Sequence, residues 1–349
     1  MTDVIATPEW LRRIGRPVRD ARRHRLQLEE ERRFCETEWS IEREIDDLTR
    51  GDHPVIVGPW SSEVGYEVLY WIPFLRWVKD AFRLDPARVV AVSRGGVASW
   101  YRGVADRYAE IWNELSPDTF AARITERGKV KQMEVSAFDR EIAASVESRL
   151  GLSGARVLHP SLMYRLFSLF WSGNRPLRFI DSHTRYERIE APEIVVLPGL
   201  PTSYVAVKLY AARSMPDTPA VRKVLAHHVT MLAEQVPVVL LDTGLVLDEH
   251  ADYELAHSTR VISAREWMTP ENNLGVQTQI IARSRGFIGT CGSVTWLAPM
   301  LGVNTSALFV DPKWLHAHLG VALRAAHRVK GGYFAAADLR GIHPLADAL

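Results

Sequence analysis

The chain has little to hold it together covalently and little to send it elsewhere. Only two of its 349 residues are cysteine, Cys35 and Cys291, too few and too far apart for a disulfide framework or a cysteine zinc site. Excess charge is also lacking. The 43 basic residues against 42 acidic ones leave +1, so no overall field draws the chain to nucleic acid or to an anionic membrane, and no nucleic-acid partner is expected. No apolar run approaches the length needed to cross a bilayer, and the opening residues are not a basic stub before an apolar core. The expectation is a cytoplasmic protein. Two phosphate motifs are missing as well: Gly-x-Gly-x-x-Gly and the Walker loop with its Gly-Lys-Ser or Gly-Lys-Thr. His227 with His228 and His316 with His318 come in pairs, but no carboxylate completes a metal set around them, so they read as structural or surface residues.

What is present is alternation. Residues 1–50 read as a charged helical arm: Leu11, Ile14 and Val18 keep helical spacing, as do Ile41, Ile45 and Leu48. Arginine crowds the first part of the arm and glutamate the second, which leaves three roles open, packing on the body, pairing with a second chain head to tail, or peripheral contact with anionic lipid. From residue 51 the text turns to strand and helix by turns: PVIVG, then SEVGYEVLYWIPFLRWVKDAF, then RVVAVS, then a helical VASWYRGVADRYAEIWNEL. A short strand at QMEVS, a helix at DREIAASVESRL and an aromatic helix around LMYRLFSLFWSG follow.

A segment with several prolines, EAPEIVVLPGLPTSY, marks the crossing from a first domain (51–190) to a second (191–330). Alternation restarts there with YVAVKLY, a helix from Pro219, VPVVLLDT, TRVISA, a helix from Pro270, GFIGT, a helix from about Ser293 and TSALFV. Thr218 and Thr269 each precede proline and are placed as helix N-caps. Residues 331–349 remain as a tail that packs back on the first domain. Two such halves put a ligand in the cleft between them, at the carboxyl ends of strands.

Polar groups gather at those ends. Lys208 closes YVAVK, Asp242 and Thr243 close VPVVLLDT, and Thr290 closes GFIGT. After Thr290, the small residues of GTCG and Ser293 at the start of a helix offer backbone amides and a positive helix end to an anion such as a diphosphate. Cys291 in this bend reads as a space-filler, since no histidine near it in sequence would activate it. Asn272, Asn273 and Gln277 occupy the first turns of TPENNLGVQTQIIARS and suit a sugar or a base. In the first half, Ser62 and Glu63 open a helix with Glu67 one turn on, and Arg94 follows RVVAVS. A carboxylate at Glu63 is either a partner of the helix dipole or a general base facing the other domain.

Through GPWSSEVGYEVLYWIPFLRW, MPDTP, LLDTG and NNLGVQTQIIARSRGFIGTCGSVTWLAPMLGV, the chain resembles bacterial glycosyltransferases of the GT-B type, including heptosyl- and fucosyltransferase-like enzymes. The resemblance covers about residues 50–320. It implies an α/β fold of two Rossmann-type parallel-sheet domains facing across a cleft, a nucleotide-sugar donor held by the second domain, an acceptor admitted by the first, and no obligatory metal or cofactor. Carried onto this chain, it places Thr290, Gly292 and Ser293 at the diphosphate and Lys208 at the leaving-group charge. Asp242, Thr243, Asn272, Asn273 and Gln277 then border the base, ribose or sugar, Glu63 is the base, and Ser62, Glu67 and Arg94 lie on the acceptor side. Position 291 is where the resemblance would place an aromatic residue. A nucleotide-sugar epimerase and a non-catalytic carbohydrate-binding or scaffold protein share this architecture and remain as alternatives.

Overall fold

Short apolar strands separated by helices pair in parallel, because each return to the sheet needs a crossover. The computed structural model shows two such sheets; it describes residues 9–128, 131–192, 196–244 and 251–341, the side chains of 9–19 excepted. The first sheet holds β1 (Val55–Val57), β2 (Val89–Ser93), β3 (Arg107–Glu110) and β4 (Arg156–Leu158) in the order β3-β2-β1-β4. In the second, β5 (Val205–Lys208), β6 (Val238–Leu240), β7 (Val261–Ser263), β8 (Phe287–Thr290), β9 (Thr305–Phe309) and β10 (Phe334–Asp338) run in the order β10-β9-β8-β5-β6-β7. All pairings between these strands are parallel. Helices α1 (Glu9–Thr49), α2 (Val64–Tyr66), α3 (Ile72–Phe82), α4 (Pro117–Arg127), α5 (Ala137–Leu150), α6 (Ser161–Trp171) and α7 (Leu177–Ser182) belong to the first half of the chain. The second half supplies α8 (Pro219–Gln235), α9 (Asn273–Arg283), α10 (Leu297–Met300) and α11 (His316–Val329). The architecture is the expected one, two parallel-sheet α/β domains with a leading helix.

Each sheet reverses direction beside its first strand, between β1 and β4 in one and between β5 and β8 in the other. At such a switch point the loops leaving the two neighbouring strands diverge and open a crevice. The loops after β1, β5 and β8 are therefore the ones that topology brings to the cleft.

Several local expectations are corrected. The stretch read as one helix after β2 is a short 3-10 turn at Ala98–Tyr101, then β3, then a second 3-10 turn at Ile111–Asn113. Gly103, at φ +76°, and the bend beyond it interrupt the helical period. QMEVS is not a strand; the buried Gln132 instead donates to Pro59 O at 2.9 Å and accepts from Ser61 N at 3.0 Å. The fourth strand is RVL at β4. Thr218 does cap α8, accepting from Val221 N, but α9 begins at Asn273, and Asn272 rather than Thr269 precedes it. Beyond Ser293 the helix is broken into a 3-10 turn, Ser293–Thr295, and the four-residue α10. The tail does not return to the first domain over its described part: β10 extends the second sheet beside β9, and residues 342–349 lie outside the described residues.

The arm is anchored at its carboxyl half. Ile41 and Ile45 are fully buried against the body, while residues 20–33 are exposed on every face. The two domains also touch directly, Gly275 N donating to Gly95 O at 2.8 Å and Trp100 Nε1 to Thr278 Oγ1 at 3.0 Å. Among the described residues, no helix is long and apolar enough to cross a membrane.

Candidate functional site between the domains

A cleft of about 870 Å³ opens between the two sheets, and loops from both line it. Glu63, Gly65, Tyr66 and Tyr70 come from the first domain, with Lys131 and Met133 beside them. Across from them stand Tyr210 to Ser214 after β5, Cys291 to Ser293 after β8, and Trp296, Trp314 and His318. Glu63, Gly292 and Ser293 are the sequence-selected residues that line it.

The bend after β8 is shaped by its neighbours. Gly292 adopts φ +123°, and a Cβ there would lie 2.4 Å from the Tyr210 hydroxyl; only glycine fits both the dihedral and the space. Ser293 follows at φ +45°, a left-handed conformation unusual for a non-glycine residue and costing of order 1–3 kcal/mol. From the facing domain, Gly65 comes so close that a Cβ on it would meet Ser293 N at 2.8 Å. An aromatic ring does reach the bend, but from Tyr210, whose hydroxyl donates to Cys291 O at 3.3 Å. Cys291 is buried, and burial pushes its thiol up to about 12, which keeps it protonated and unreactive.

Glu63 precedes α2 with extended backbone, φ −65° and ψ 138°, and its side chain does not cap the helix. The turn that carries it is held from below. Arg94 donates to Ser62 O at 2.8 Å and Trp60 O at 3.3 Å, and its guanidinium lies 5.4 Å from the Phe120 ring centre. Ser62 Oγ shares a 2.7 Å hydrogen bond with the Tyr164 hydroxyl. Both residues are buried, so they position Glu63 and do not face the cleft as the acceptor-side reading expects.

Glu67 is fully buried too. Its Oε1 accepts from Ser93 Oγ at 2.5 Å and from the Tyr101 hydroxyl at 2.6 Å, while Oε2 has no hydrogen-bond partner among the described residues. It begins a π-helical turn, Glu67–Trp71, that runs into α3. Pro73 has no N–H to give Leu69 O in an α-helical turn, and the Tyr186 hydroxyl donates to that oxygen at 3.0 Å. Burial raises the Glu67 carboxyl to about 7, against the opposing pull of Ser93, Tyr101 and Arg94.

The sign of the resulting pH dependence follows. The folded chain keeps a proton that the unfolded chain releases near the ordinary 4.5. Stability from this group is fully present below about 4.5 and is lost as pH rises through about 7. Unfolding free energies of the wild type and Glu67→Gln, from denaturant titrations at pH 5 and pH 8, should differ in slope against pH, the wild type losing about 2.5 kcal/mol more over that interval. Identical slopes would refute the protonated carboxyl.

The second-domain candidates divide as well. Lys208 is 8% exposed; its Nζ donates to Leu241 O at 2.7 Å and pairs with Asp252 Oδ1 at 2.6 Å. That makes it a tie between strand ends and not a cation of the cleft wall. Thr290 is fully buried and clasps Tyr210, accepting from its N at 3.1 Å and donating to its O at 3.0 Å. Asn273, buried, donates to Pro270 O at 2.7 Å. Gln277 is buried in the same helix, whose first turn abuts the Gly95–Gly96 loop. Asn272 is exposed and accepts from Thr269 N. Asp242 accepts from Ser263 Oγ at 2.6 Å with Arg265 3.5 Å away, and Thr243 N donates to Asp252. None of these seven side chains is part of the cleft lining described above.

Charge in the cleft comes from residues that sequence patterns passed over. Lys131 lies 4.8 Å from the Tyr66 ring centre, and the exposed Arg213 lies 5.3 Å from that of Trp314. Burial pulls the Lys131 ammonium down while Glu63 raises it. His318 bridges the domains: Nδ1 is 2.7 Å from the Tyr70 hydroxyl and Nε2 is 3.2 Å from that of Tyr66. Burial first, and then Lys131, hold it near 4, so the imidazole is neutral at pH 7 and donates at one nitrogen while accepting at the other. The segment YAARS, directly after the Lys208 strand end, was the available signal for Tyr210 and Arg213; a search of strand ends stops one turn short of it.

No family model matches the chain, and no curated protein matches it. Among solved structures it is similar to a glycosyl transferase of family 9 from Veillonella parvula, at 12% identity over 84% of this chain and 91% of that one, TM-score 0.41. It is similar to the E. coli heptosyltransferase WaaC with ADP, at 13% identity over 81% and 93%, TM-score 0.39. A third likeness is to the iron-containing dodecameric glycosyltransferase TibC of enterotoxigenic E. coli, at 12% identity, TM-score 0.39; it takes in 75% of this chain, which spans 59% of that protein's length.

Proposed function

We propose that the chain transfers a sugar from a nucleotide-sugar donor to an acceptor hydroxyl. The observation that carries this reading is that Glu63 and the Gly292–Ser293 bend belong to opposite walls of one cleft. On the second-domain wall, backbone amides of the bend and the Arg213 guanidinium suit a diphosphate, and Lys131 adds a cation from the facing side. Of the aromatic rings that line the cleft, Tyr66 and the exposed Trp314 have surface to offer a sugar or a base, while Tyr210 and Trp296 are buried in its wall. Glu63 takes the proton from the acceptor hydroxyl as its oxygen bonds to the anomeric carbon, and the bond from that carbon to the diphosphate oxygen breaks. Arg213 and Lys131 then oppose the charge that develops on the departing diphosphate. This assigns to them the role that the sequence resemblance implies for Lys208.

A thermal-shift series with UDP, GDP, ADP and dTDP tests the donor site. Binding of one of them at about 100 times its Kd stabilises the fold by about 2.7 kcal/mol. Arg213→Ala, on an exposed side chain, should remove most of that gain while leaving the ligand-free melting temperature in place. Gly292→Ala should remove the gain and also lower the ligand-free stability by about 1–3 kcal/mol, from the forced dihedral. Four flat titrations of the wild type would sink the reading, and release of an altered free sugar without acceptor would replace it with the epimerase.

A further inference from the structure

Away from the cleft, where the arm meets the body, we propose a divalent transition-metal site of the zinc type made by Glu38, Glu42 and His183. The two carboxylates stand four residues apart on α1, on one face, and His183 follows the end of α7. One donor atom from each of the three lies within 4.8 Å of the others. His183 Nε2 is 3.3 Å from Glu42 Oε1 and 3.5 Å from Glu38 Oε1. Ligand atoms held at about 2.0–2.1 Å by a tetrahedral zinc stand about 3.3–3.4 Å from one another, so these separations already match two edges of the coordination polyhedron. A charge-assisted hydrogen bond from an imidazolium would instead close to about 2.7–2.9 Å.

The imidazole is prepared for this role. It is 4% exposed, packed between Trp77, with ring centres 4.9 Å apart, and Phe179, 4.5 Å away. Its Nδ1 lies 2.9 Å from Phe179 O, an acceptor only, and 3.1 Å from Ser182 Oγ, whose own proton goes to Phe179 O at 2.9 Å; both contacts suit a proton on Nδ1, the tautomer that leaves the Nε2 lone pair facing the carboxylates. Metal-ligating histidines are oriented by this same second hydrogen bond. Arg175 is the one competing cation whose contacts reach the cluster among the described residues. It lies 3.8 Å from Glu38, but on the other carboxylate oxygen, Oε2, and its closer partner is Glu31 at 2.6 Å. With water as the fourth ligand the set is complete, and the ion would tie α1 to the end of α7. Sequence spacing hides such a site, because its halves are about 140 residues apart.

The test uses the full-length chain without an affinity tag, titrated with Zn²⁺ by calorimetry and with Co²⁺ by visible absorption. The wild type should bind one ion tightly, show the intense absorption of tetrahedral Co²⁺, and melt at a higher temperature with Zn²⁺ present. Losing an orienting partner of a ligand weakens metal binding 10–100-fold, so the double variant E38Q/E42Q should weaken it by about 100-fold or more and abolish the thermal shift. Both carboxylates are half-buried at the surface, and circular dichroism confirms that the variant folds. Glu36→Gln, on the same helix but outside the cluster, should bind as the wild type does. Absence of a tight site in the wild type, or equal binding by E38Q/E42Q, would overturn the proposal.

Discussion

Glu63→Gln is expected to slow sugar transfer by about 10²–10⁴-fold, the range that a positioned general base contributes, while the nucleotide-induced rise in melting temperature stays at its wild-type size. The amide keeps the shape of the side chain and loses only its capacity to take a proton. Because Glu63 comes from the first-domain wall and the bend from the second, the two effects separate: donor binding belongs to one wall and proton removal to the other. The rate is read as release of nucleoside diphosphate from the nucleotide-sugar whose diphosphate gives the largest thermal shift, with a panel of glycan acceptors. A variant that turns over as fast as the wild type would remove Glu63 from the chemistry.

Lys208→Ala should instead cost about 3–5 kcal/mol of folding stability, the penalty for breaking a buried ion pair by removing one partner, and leave diphosphate affinity unchanged. The lysine is held between Leu241 O and Asp252, and Asp252 also accepts from Thr243 N. Without the ammonium, a largely buried carboxylate at the ends of β5 and β6 is left, among the described residues, with that one backbone donor. Chemical denaturation measures the first effect and calorimetry with the diphosphate the second. A variant of normal stability that no longer binds diphosphate would restore Lys208 to the phosphate role implied by resemblance.

Most of the architecture was legible from the chain, because apolar strands ending in polar residues leave a strong local mark. The site was legible in part, and the reason is geometric. A residue at a strand's carboxyl end is close to the cleft in the topology, but whether its side chain enters it depends on which way the last pleat faces. Lys208 and Thr290 fall at such ends and turn into protein, whereas Tyr210 and Arg213, past the end, line the cleft. Glu63, chosen for its place at a helix start, does line the cleft. Arg94 and Ser62 were chosen for the same neighbourhood, yet their partners, Trp60 O and Tyr164, follow only from the folded path. His318 was set aside for want of a nearby carboxylate, and no local pattern shows that two tyrosines some 250 residues upstream meet its ring.

The seam between Gly95 and Gly275 bears on how a bulky substrate gets in. There the contact is main chain on main chain, a carbonyl meeting an amide, and a Cβ at position 275 would lie 2.8 Å from Gly96 O. That seam is one of several ties between the lobes, for Trp100 donates to Thr278, His318 meets Tyr66 and Tyr70, Gly65 packs on Ser293 and Arg324 pairs with Asp181, so a tilt that admits a bulky substrate has to give up all of these and not the seam alone.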